Sequence, residues 1–574
     1  MKILLTTLNA KFIHSSLALR NIKDFAGEYS ENVTLSEFTI NQTENFILSE
    51  IFKQKPDIIG FSCYIWNIKQ VLSLVSSIKK IMTDVKIILG GPEVSYEFEP
   101  ILRDYPVDVI VIGEGEMAFY NLLKHYVNSE IGLADISGIA YMTNEGNIIS
   151  SIGEILELNA IPFAYEGGFS ELENKIIYYE SSRGCPYSCG YCLSGSSSNV
   201  RYLNSERVFS DLTRFLNSKV SQVKFIDRTF NSNKYHAMNI WEFLIKNDNK
   251  ITNFHFEICA DLLNFDEIAI LKKARKGLFQ FEIGIQSTNA QSLKEIGRIT
   301  NLDKIYENVR LIKELGTIHQ HLDLIAGLPY EDYLSFKKSF NEVFAVSPEM
   351  LQLGFLKILK GSKIREAAPK HGIIFKDNAD YEVLTTSWLT YSEILQLKSI
   401  EHVLELFYNS GQFGSSIKYL ISFFDSPFEF FERIAEYWNE MEYHGISHSK
   451  INLYIKIYDF AISFLNIDET KIIKELLLFD LLSNEKLKSL PDGLPFGKEE
   501  NKEFVRDFYN NSENIKKYFG EEALLIPVKQ IVRRSNLVWF ENNVLGFLTD
   551  EKIKTHGCYV IFNYMTDEIV VNQL

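Results

Sequence analysis

Three cysteines, Cys185, Cys189 and Cys192, stand in the spacing CxxxCxxC on the stretch ESSRGCPYSCGYCLS from Glu180 to Ser194. They are half of the six cysteines in the chain. Thiolates are soft metal ligands, and three on one loop can all reach one metal centre. A four-iron cubane normally takes four cysteines, so three leave one iron open to an outside ligand. A structural zinc site needs a fourth ligand, and no second CxxC pair exists in the sequence. Three unrelated buried thiols are the competing reading. The crowding of Gly184, Pro186 and Gly190 among them argues against it.

A second set of chemistry-bearing residues lies at or near the ends of apolar runs. Asp227 follows VKFI, Glu257 lies in FHFEI, Glu282 and Gln286 lie in FEIGIQS, and Asp323 precedes IAGLP. A single carboxylate at an alternate strand position is commonly a solvated face. Four strands, each carrying one beside apolar residues, point to a shared polar interior. A third set is made of glycine-rich turns that close apolar runs: SCYIWN at Ser62, GGPEVS at Gly90 and GEGE at Gly113.

The elements that position these residues are legible from periodicity. Runs at 2–8, 33–40, 57–63, 86–90 and 108–113 alternate with helical patterns, one starting near Ser15. This is the pattern of a doubly wound parallel sheet, whose ligands bind beyond the carboxyl ends of the strands. Residues 134–172 read as a connector with a small hairpin turning at Glu145-Gly146. Strand candidates at 176–180, 222–226, 254–259, 280–285, 319–326 and 351–357 then alternate with amphipathic helices. Six βα units make a partial (β/α) barrel, with chemistry at the carboxyl ends of its strands. After 376 the pattern is helical and aromatic-rich, at 419–424, 428–441 and 451–465, with strand-like runs at 523–532, 536–540 and 558–563. His444, His448 and His556 lack metal-ligand spacing there, and Cys558 reads as a buried thiol. The fold class is α/β. A Rossmann-like domain over 1–133 and the connector are followed by the partial barrel over 173–375 and a mainly helical domain over 376–574.

CxxxCxxC after a strand, with Tyr191 before the last cysteine, resembles the radical S-adenosylmethionine superfamily. That resemblance implies a 4Fe-4S cluster on the three cysteines, with S-adenosylmethionine chelated at the open iron and cleaved to methionine and a 5′-deoxyadenosyl radical. FEIGIQS followed by DLIAGLPYED is similar to the fourth and fifth strands of these enzymes. It implies contacts to S-adenosylmethionine from Glu282 and Gln286, with Asp227 and Glu257 in the same bed. The sixth strand, LQLGFLK with Leu356, would pack the adenine. The family's Gly and Thr around the glutamate after GLP are Tyr330 and Asp332 here, which implies a differently shaped turn. GFSCYIWN, ILGGPEVS and VIGEGE resemble the cobalamin-binding domain of the class B enzymes. They imply that Ser62, Tyr64, Gly90, Gly91, Glu93, Gly113 and Gly115 line the cobalamin. The DxHxxG motif of histidine-ligated cobalamin proteins is absent, which favours a cobalamin without a histidine ligand. His14 occupies the corresponding loop as a minor candidate.

Composition bounds the rest. At 574 residues, 46% hydrophobic and 23% charged, the chain is ordinary for a globular protein. A net charge of -16 opposes general nucleic-acid binding. No apolar run reaches a membrane span, no signal peptide is legible, and six cysteines, which are no disulfide framework in a chain this long, imply a reducing cytoplasm together with the oxygen-sensitive cluster of the resemblance. The function implied is a cobalamin-dependent radical methyltransferase acting on an unknown organic substrate, with flavodoxin or ferredoxin as electron donor. The alternatives are a cobalamin-dependent ring-forming or rearrangement enzyme, and an iron–sulfur or cobalamin-binding sensor. A tRNA methylthiotransferase would need three further cysteines in the first domain, where only Cys63 is present.

Overall fold

Ile- and Val-rich runs bounded by polar turns bury best as parallel strands covered on both faces. The computed structural model describes residues 1–196, 199–487, 489–491, 493–496, 501–549, 556–566 and 569–574. Its first sheet begins with β1 (Ile3–Asn9), β2 (Val33–Thr39), β3 (Ile58–Ser62), β4 (Lys86–Gly90) and β5 (Val109–Val111). These strands are mutually parallel in the order β2-β1-β3-β4-β5. All seven residues of β1 are buried. Alternate residues feed two cores, one on each face: Ile59, Ile87 and Leu89 on one, Ile58, Ile88 and Val109 on the other. The first helix, Leu17–Phe25, is capped by the Ser16 hydroxyl, which accepts from the Leu19 amide.

The hairpin foreseen in the connector is present as β6 (Ile139–Met142) and β7 (Ile148–Ser150). It adds antiparallel to β5 and takes the first sheet to seven strands. The sheet therefore runs past residue 133, because the exposed edge of β5 finds its hydrogen-bond partner in the next segment of chain.

The second sheet holds β8 (Ile177–Tyr179), β11 (Gln222–Phe225), β12 (Asn253–Ile258), β13 (Phe279–Gln286), β14 (His319–Ala326) and β15 (Met350–Phe355). Its order is β15-β14-β13-β12-β11-β8. Two short strands, β9 (Ser182–Arg183) and β10 (Arg201–Tyr202), pair antiparallel on either side of the cysteine loop. Burial alternates strictly along β13. The Phe256 and Phe281 side packs on Trp241 of the helix Lys234–Lys246, and the Glu257 and Glu282 side faces the barrel interior.

Residues 1–348 and 353–394 form one compact unit. The boundary expected at 375–376 falls inside it, because β16 (Ile374–Phe375) pairs with β17 (Val383–Thr385) and the Val383 amide donates to the Leu356 carbonyl at 2.9 Å. The second unit takes residues 349–352 and 395–574. Its helices Pro427–Glu440 and Lys450–Ile462 bury Phe430, Phe431, Trp438 and Phe460. A three-stranded antiparallel sheet of β18 (Ser535–Phe540), β19 (Cys558–Asn563) and β20 (Val570–Gln573) lies at its end. The strand expected at 523–532 is instead two helical turns, Glu521–Leu525 and Val528–Arg533. Pro527 between them has no amide to give a ladder and is pre-set to start a helix. The ring of His444 lies 4.9 Å from that of His402. No helix of the described residues is long and apolar enough to cross a membrane.

Candidate active site

The cysteine loop is held by its own backbone. The Gly190 amide donates to the Ile296 carbonyl at 2.7 Å, and its carbonyl accepts from Ile364 at 2.9 Å. Gly184 sits at a φ of 108°, and a Cβ there would collide with the Asn199 carbonyl, so only glycine fits ahead of Cys185. Cys185 and Cys189 are buried and Cys192 is half-buried. No three His, Cys, Asp or Glu of the described residues stand close enough to hold a single metal ion.

Two of the thiols meet groups from the loop after β11, and the third meets a group from the loop after the helix Ala290–Glu295. Cys185 Sγ lies 3.9 Å from Thr229 Oγ1, and Thr229 takes a left-handed φ of 65°. Cys189 Sγ lies 4.0 Å from Arg298 Nη1. Cys192 lies within the electrostatic reach of Arg228, which donates to Glu257 at 3.0 Å. Burial pushes the Cys189 thiol up, and the Arg298 guanidinium opposes that shift. Burial likewise raises the Tyr191 phenol, which sits beside Arg298 and Cys189. Arg298 also donates to the Gly284 carbonyl, while its buried Nε has no partner.

The expected bed for S-adenosylmethionine divides on inspection. Gln286 closes β13 at a left-handed φ of 73°, next to a register shift against β14. Such strain in a non-glycine residue concentrates at functional sites. Asp323 carries a buried, unpartnered Oδ1, and burial, with Glu282 and Glu257 nearby, pushes its carboxyl up to about 8. Glu282 lies one turn of alternation deeper. It accepts from Lys224 at 2.9 Å and stands 3.1 Å from His255 Nε2. Burial would raise it, yet His255 and Lys224 hold it down to about 2.

Asp227 is not open to a ligand. It is fully buried and accepts from the Ser181 amide at 3.0 Å and from the Ser181 and Ser182 hydroxyls at 2.6 Å each. Burial pushes it up to about 7. Its role is to hold the strand that delivers the cysteines. Leu356 is buried, with its amide on the Ala326 carbonyl and its own carbonyl on Val383.

At the carboxyl ends of the first sheet lies a cavity of about 390 Å³. Ser62, Tyr64, Gly90, Gly91, Gly113 and Gly115 line it, as expected of the glycine-rich turns. Tyr64 is stacked on Trp66 at 4.4 Å. A Cβ on Gly113 would meet nothing within 4 Å, so the cavity wall there is bare backbone. Glu93 is absent from this lining. It is buried, paired with Lys360 at 3.0 Å and hydrogen-bonded by the Tyr381 hydroxyl, and so joins the first sheet to the barrel side. No histidine lines the cavity among the described residues. His14 Nδ1 is 2.7 Å from the Tyr178 hydroxyl instead. The cavity's other wall is Glu180, Arg183, Leu193 and Ile226, the residues that flank the cysteines and end β11.

Arg298, Arg228 and Arg183 were not legible as site residues in the sequence. Arg298 reaches Cys189, Arg228 reaches Glu257 and Arg183 reaches Glu114 across long stretches of chain, and only the fold brings these pairs together. The one local signal was the placement of Arg183 two residues ahead of Cys185.

Three family profiles match successive parts of the chain. The profile described as "B12 binding domain" matches residues 3–123, that of the "Radical SAM superfamily" residues 179–343, and that of "Protein of unknown function (DUF4080)" residues 369–562. The chain is 25% identical over 340 residues to the cobalamin-dependent radical SAM methyltransferase TokK of Streptomyces tokunonensis, covering 54% of this chain. That match takes in only 48% of TokK, about half its length. It is 23% identical over 401 residues to the uncharacterized methyltransferase PH0819 of Pyrococcus horikoshii, covering 66% of this chain and 80% of that protein. In fold it is similar to the cobalamin-dependent S-adenosylmethionine radical enzyme OxsB, with a TM-score of 0.59 at 17% identity over 84% of this chain and 80% of that one. In chain order, therefore, a region similar to B12-binding domains, a region similar to the radical SAM superfamily and a DUF4080 region follow one another.

Proposed function

We propose that this chain holds a 4Fe-4S cluster on Cys185, Cys189 and Cys192, S-adenosylmethionine beside it and cobalamin in the first-sheet cavity, and that it methylates an unactivated carbon of an organic substrate. The observation that carries this reading is the single cavity walled on one side by the Gly90 and Gly113 turns and on the other by residues flanking the cysteines. Together these cofactors supply reductive cleavage of S-adenosylmethionine to a carbon radical and the transfer of a methyl group.

The protein's part is to bind, orient and exclude water. Arg298 favours the thiolate form of Cys189, and its free Nε is a donor suited to the carboxylate of S-adenosylmethionine. Asp323, with its unpartnered oxygen, and Gln286 would meet the hydroxyls or amino group of the same molecule. Asp227 keeps Ser181 and Ser182 in place beneath the cluster loop. Leu5, Ile22, Phe119 and Leu193 line the cavity with apolar surface, which keeps water from a reactive radical. Methyl transfer is the favoured outcome because the relatives TokK and PH0819 are named methyltransferases. The electron donor is a flavodoxin or ferredoxin.

Anaerobic reconstitution with iron, sulfide and hydroxocobalamin tests the reading. Cluster and corrinoid absorbance should both appear, with 5′-deoxyadenosine formed on reduction and product gaining the mass of one methyl. Cys185→Ala should abolish deoxyadenosine formation and keep the corrinoid. Protein that binds no corrinoid overturns the assignment, and a product without mass gain moves it to a rearrangement.

A further inference from the structure

A largely buried ion-pair network in the cavity wall, beside the cysteine loop, has so far been given no role beyond lining. Arg183 donates from Nη1 to Glu114 at 3.0 Å, from Nη2 to Glu116 at 2.7 Å, and from Nε and Nη2 to Glu180 at 2.9 and 2.8 Å. Arg201, its cross-strand partner in the β9–β10 pair, binds the same Glu114 and the Leu156 carbonyl. The Arg183 side chain is 19% exposed and Glu116 only 6%. Pairs this buried are not the weak, screened contacts of a surface, since removing one partner strands the other's charge.

The placement of the network gives it meaning. Glu114 and Glu116 belong to the turn after β5, whose Gly113 and Gly115 line the cavity. Arg183 lies two residues ahead of Cys185, and the residue between them, Gly184, is wedged against the Asn199 backbone. The turn that faces one cofactor is thus joined to the first cluster ligand by one fork of hydrogen bonds and two peptide bonds. Gly113 has open space where a Cβ would stand, so a ligand in the cavity can approach the turn's backbone directly.

We propose that Arg183 is a positioning residue that couples the two cofactor sites. Cobalamin in the cavity fixes the Gly113–Glu116 turn, the guanidinium carries that order to β9, and the cysteine loop is held in register for the cluster. This rests on the function proposed above. Linkage then requires reciprocity: the assembled cluster must tighten cobalamin binding by the same factor by which cobalamin favours the cluster. An arginine is needed because its planar fork engages three carboxylates at once, where lysine is a point charge.

The test is the hydroxocobalamin affinity of the full chain, by absorbance titration, with and without the reconstituted cluster. In the wild-type chain the cluster should tighten binding by roughly 5–150-fold, the usual range for coupled sites. In Arg183→Lys, and separately in Glu114→Gln, that ratio should fall toward one, while cluster-free protein still binds hydroxocobalamin. A merely structural arginine would weaken both affinities together and leave the ratio unchanged. Such a result, or a wild-type ratio of one, overturns the coupling. If the wild-type chain binds no hydroxocobalamin in either form, the proposed function falls with it. A ratio of one with binding intact removes only the coupling.

Discussion

Arg298 sits where a thiolate and a carboxylate ligand both need a cation. One of its nitrogens lies 4.0 Å from Cys189 Sγ, and its buried Nε is spare. An unpartnered buried donor is costly unless a ligand satisfies it. Hydrogen bonds to charged groups contribute about 1.5–3 kcal/mol. Arg298→Met should therefore weaken S-adenosylmethionine binding to the reconstituted protein by roughly 10–100-fold, read by equilibrium dialysis. Arg298→Lys should recover only part of this, because the ammonium cannot reach Gly284, Cys189 and a carboxylate together. Undiminished binding in Arg298→Met would remove the residue from the site. Asp323→Asn should weaken the same binding, with the Cys185, Cys189 and Cys192 cluster absorbance unchanged.

At the scale of elements, the turn after β14 shows how a departure from a family pattern is absorbed. The resemblance to the family implied a differently shaped turn, with Tyr330 in place of a glycine. The backbone there is left-handed, with Tyr330 at a φ of 64°. Its ring packs 4.5 Å from Trp388 and 5.9 Å from His371, and its carbonyl accepts from Asn289 at 2.9 Å. The left-handed conformation costs a non-glycine residue roughly 1–2 kcal/mol, and aromatic contacts offset it. Tyr330→Gly should therefore be better tolerated than Tyr330→Ala by about 1 kcal/mol, measured from urea midpoints. Equal midpoints would show that the turn relaxes. The strands themselves were legible because a period of two and glycine-rich ends survive in one sequence. What each polar side chain binds was not. Asp227, Glu93 and Glu282 sit in the strands or turns foreseen for them, but their partners are Ser181, Lys360 and Lys224, at distances in sequence that no spacing encodes. Asp323, seen only as one carboxylate among four, is the one with a buried oxygen, Oδ1, that has no partner. The strand foreseen at 523–532 failed for a local reason, Pro527, that the apolar run concealed.

For the whole molecule, buried carboxyls set the pH response of the protein without cofactors. Asp323 is pushed up to about 8, Asp227 and Glu331 to about 7, each chiefly by burial. An acid whose folded pKa exceeds its unfolded value, near 4, binds more protons when folded, so stability falls as pH rises through the folded value. Two histidines work the other way. Burial lowers His236 and His321 to about 4, so the unfolded chain binds their protons first and stability rises with pH up to about 6.5. Glu282, held down to about 2, adds stability that is complete above pH 5 or so and is lost as pH falls toward 2. Between pH 7 and 8.5 the histidines and Glu282 are therefore nearly constant and the raised carboxyls dominate, with a smaller loss of the same sign from buried thiols such as Cys63 and Cys259. The expected loss over that interval is roughly 2 kcal/mol, a drop of a few degrees in the thermal midpoint. Somewhat over half of it comes from Asp323, so Asp323→Asn should cut the fall in the midpoint between pH 7 and 8.5 by about half and leave the response below pH 4 unchanged. A midpoint that rises over that range, or a slope undiminished by Asp323→Asn, would mean that this carboxyl is already ionised and partnered in the folded protein. It would then no longer be a free acceptor for S-adenosylmethionine.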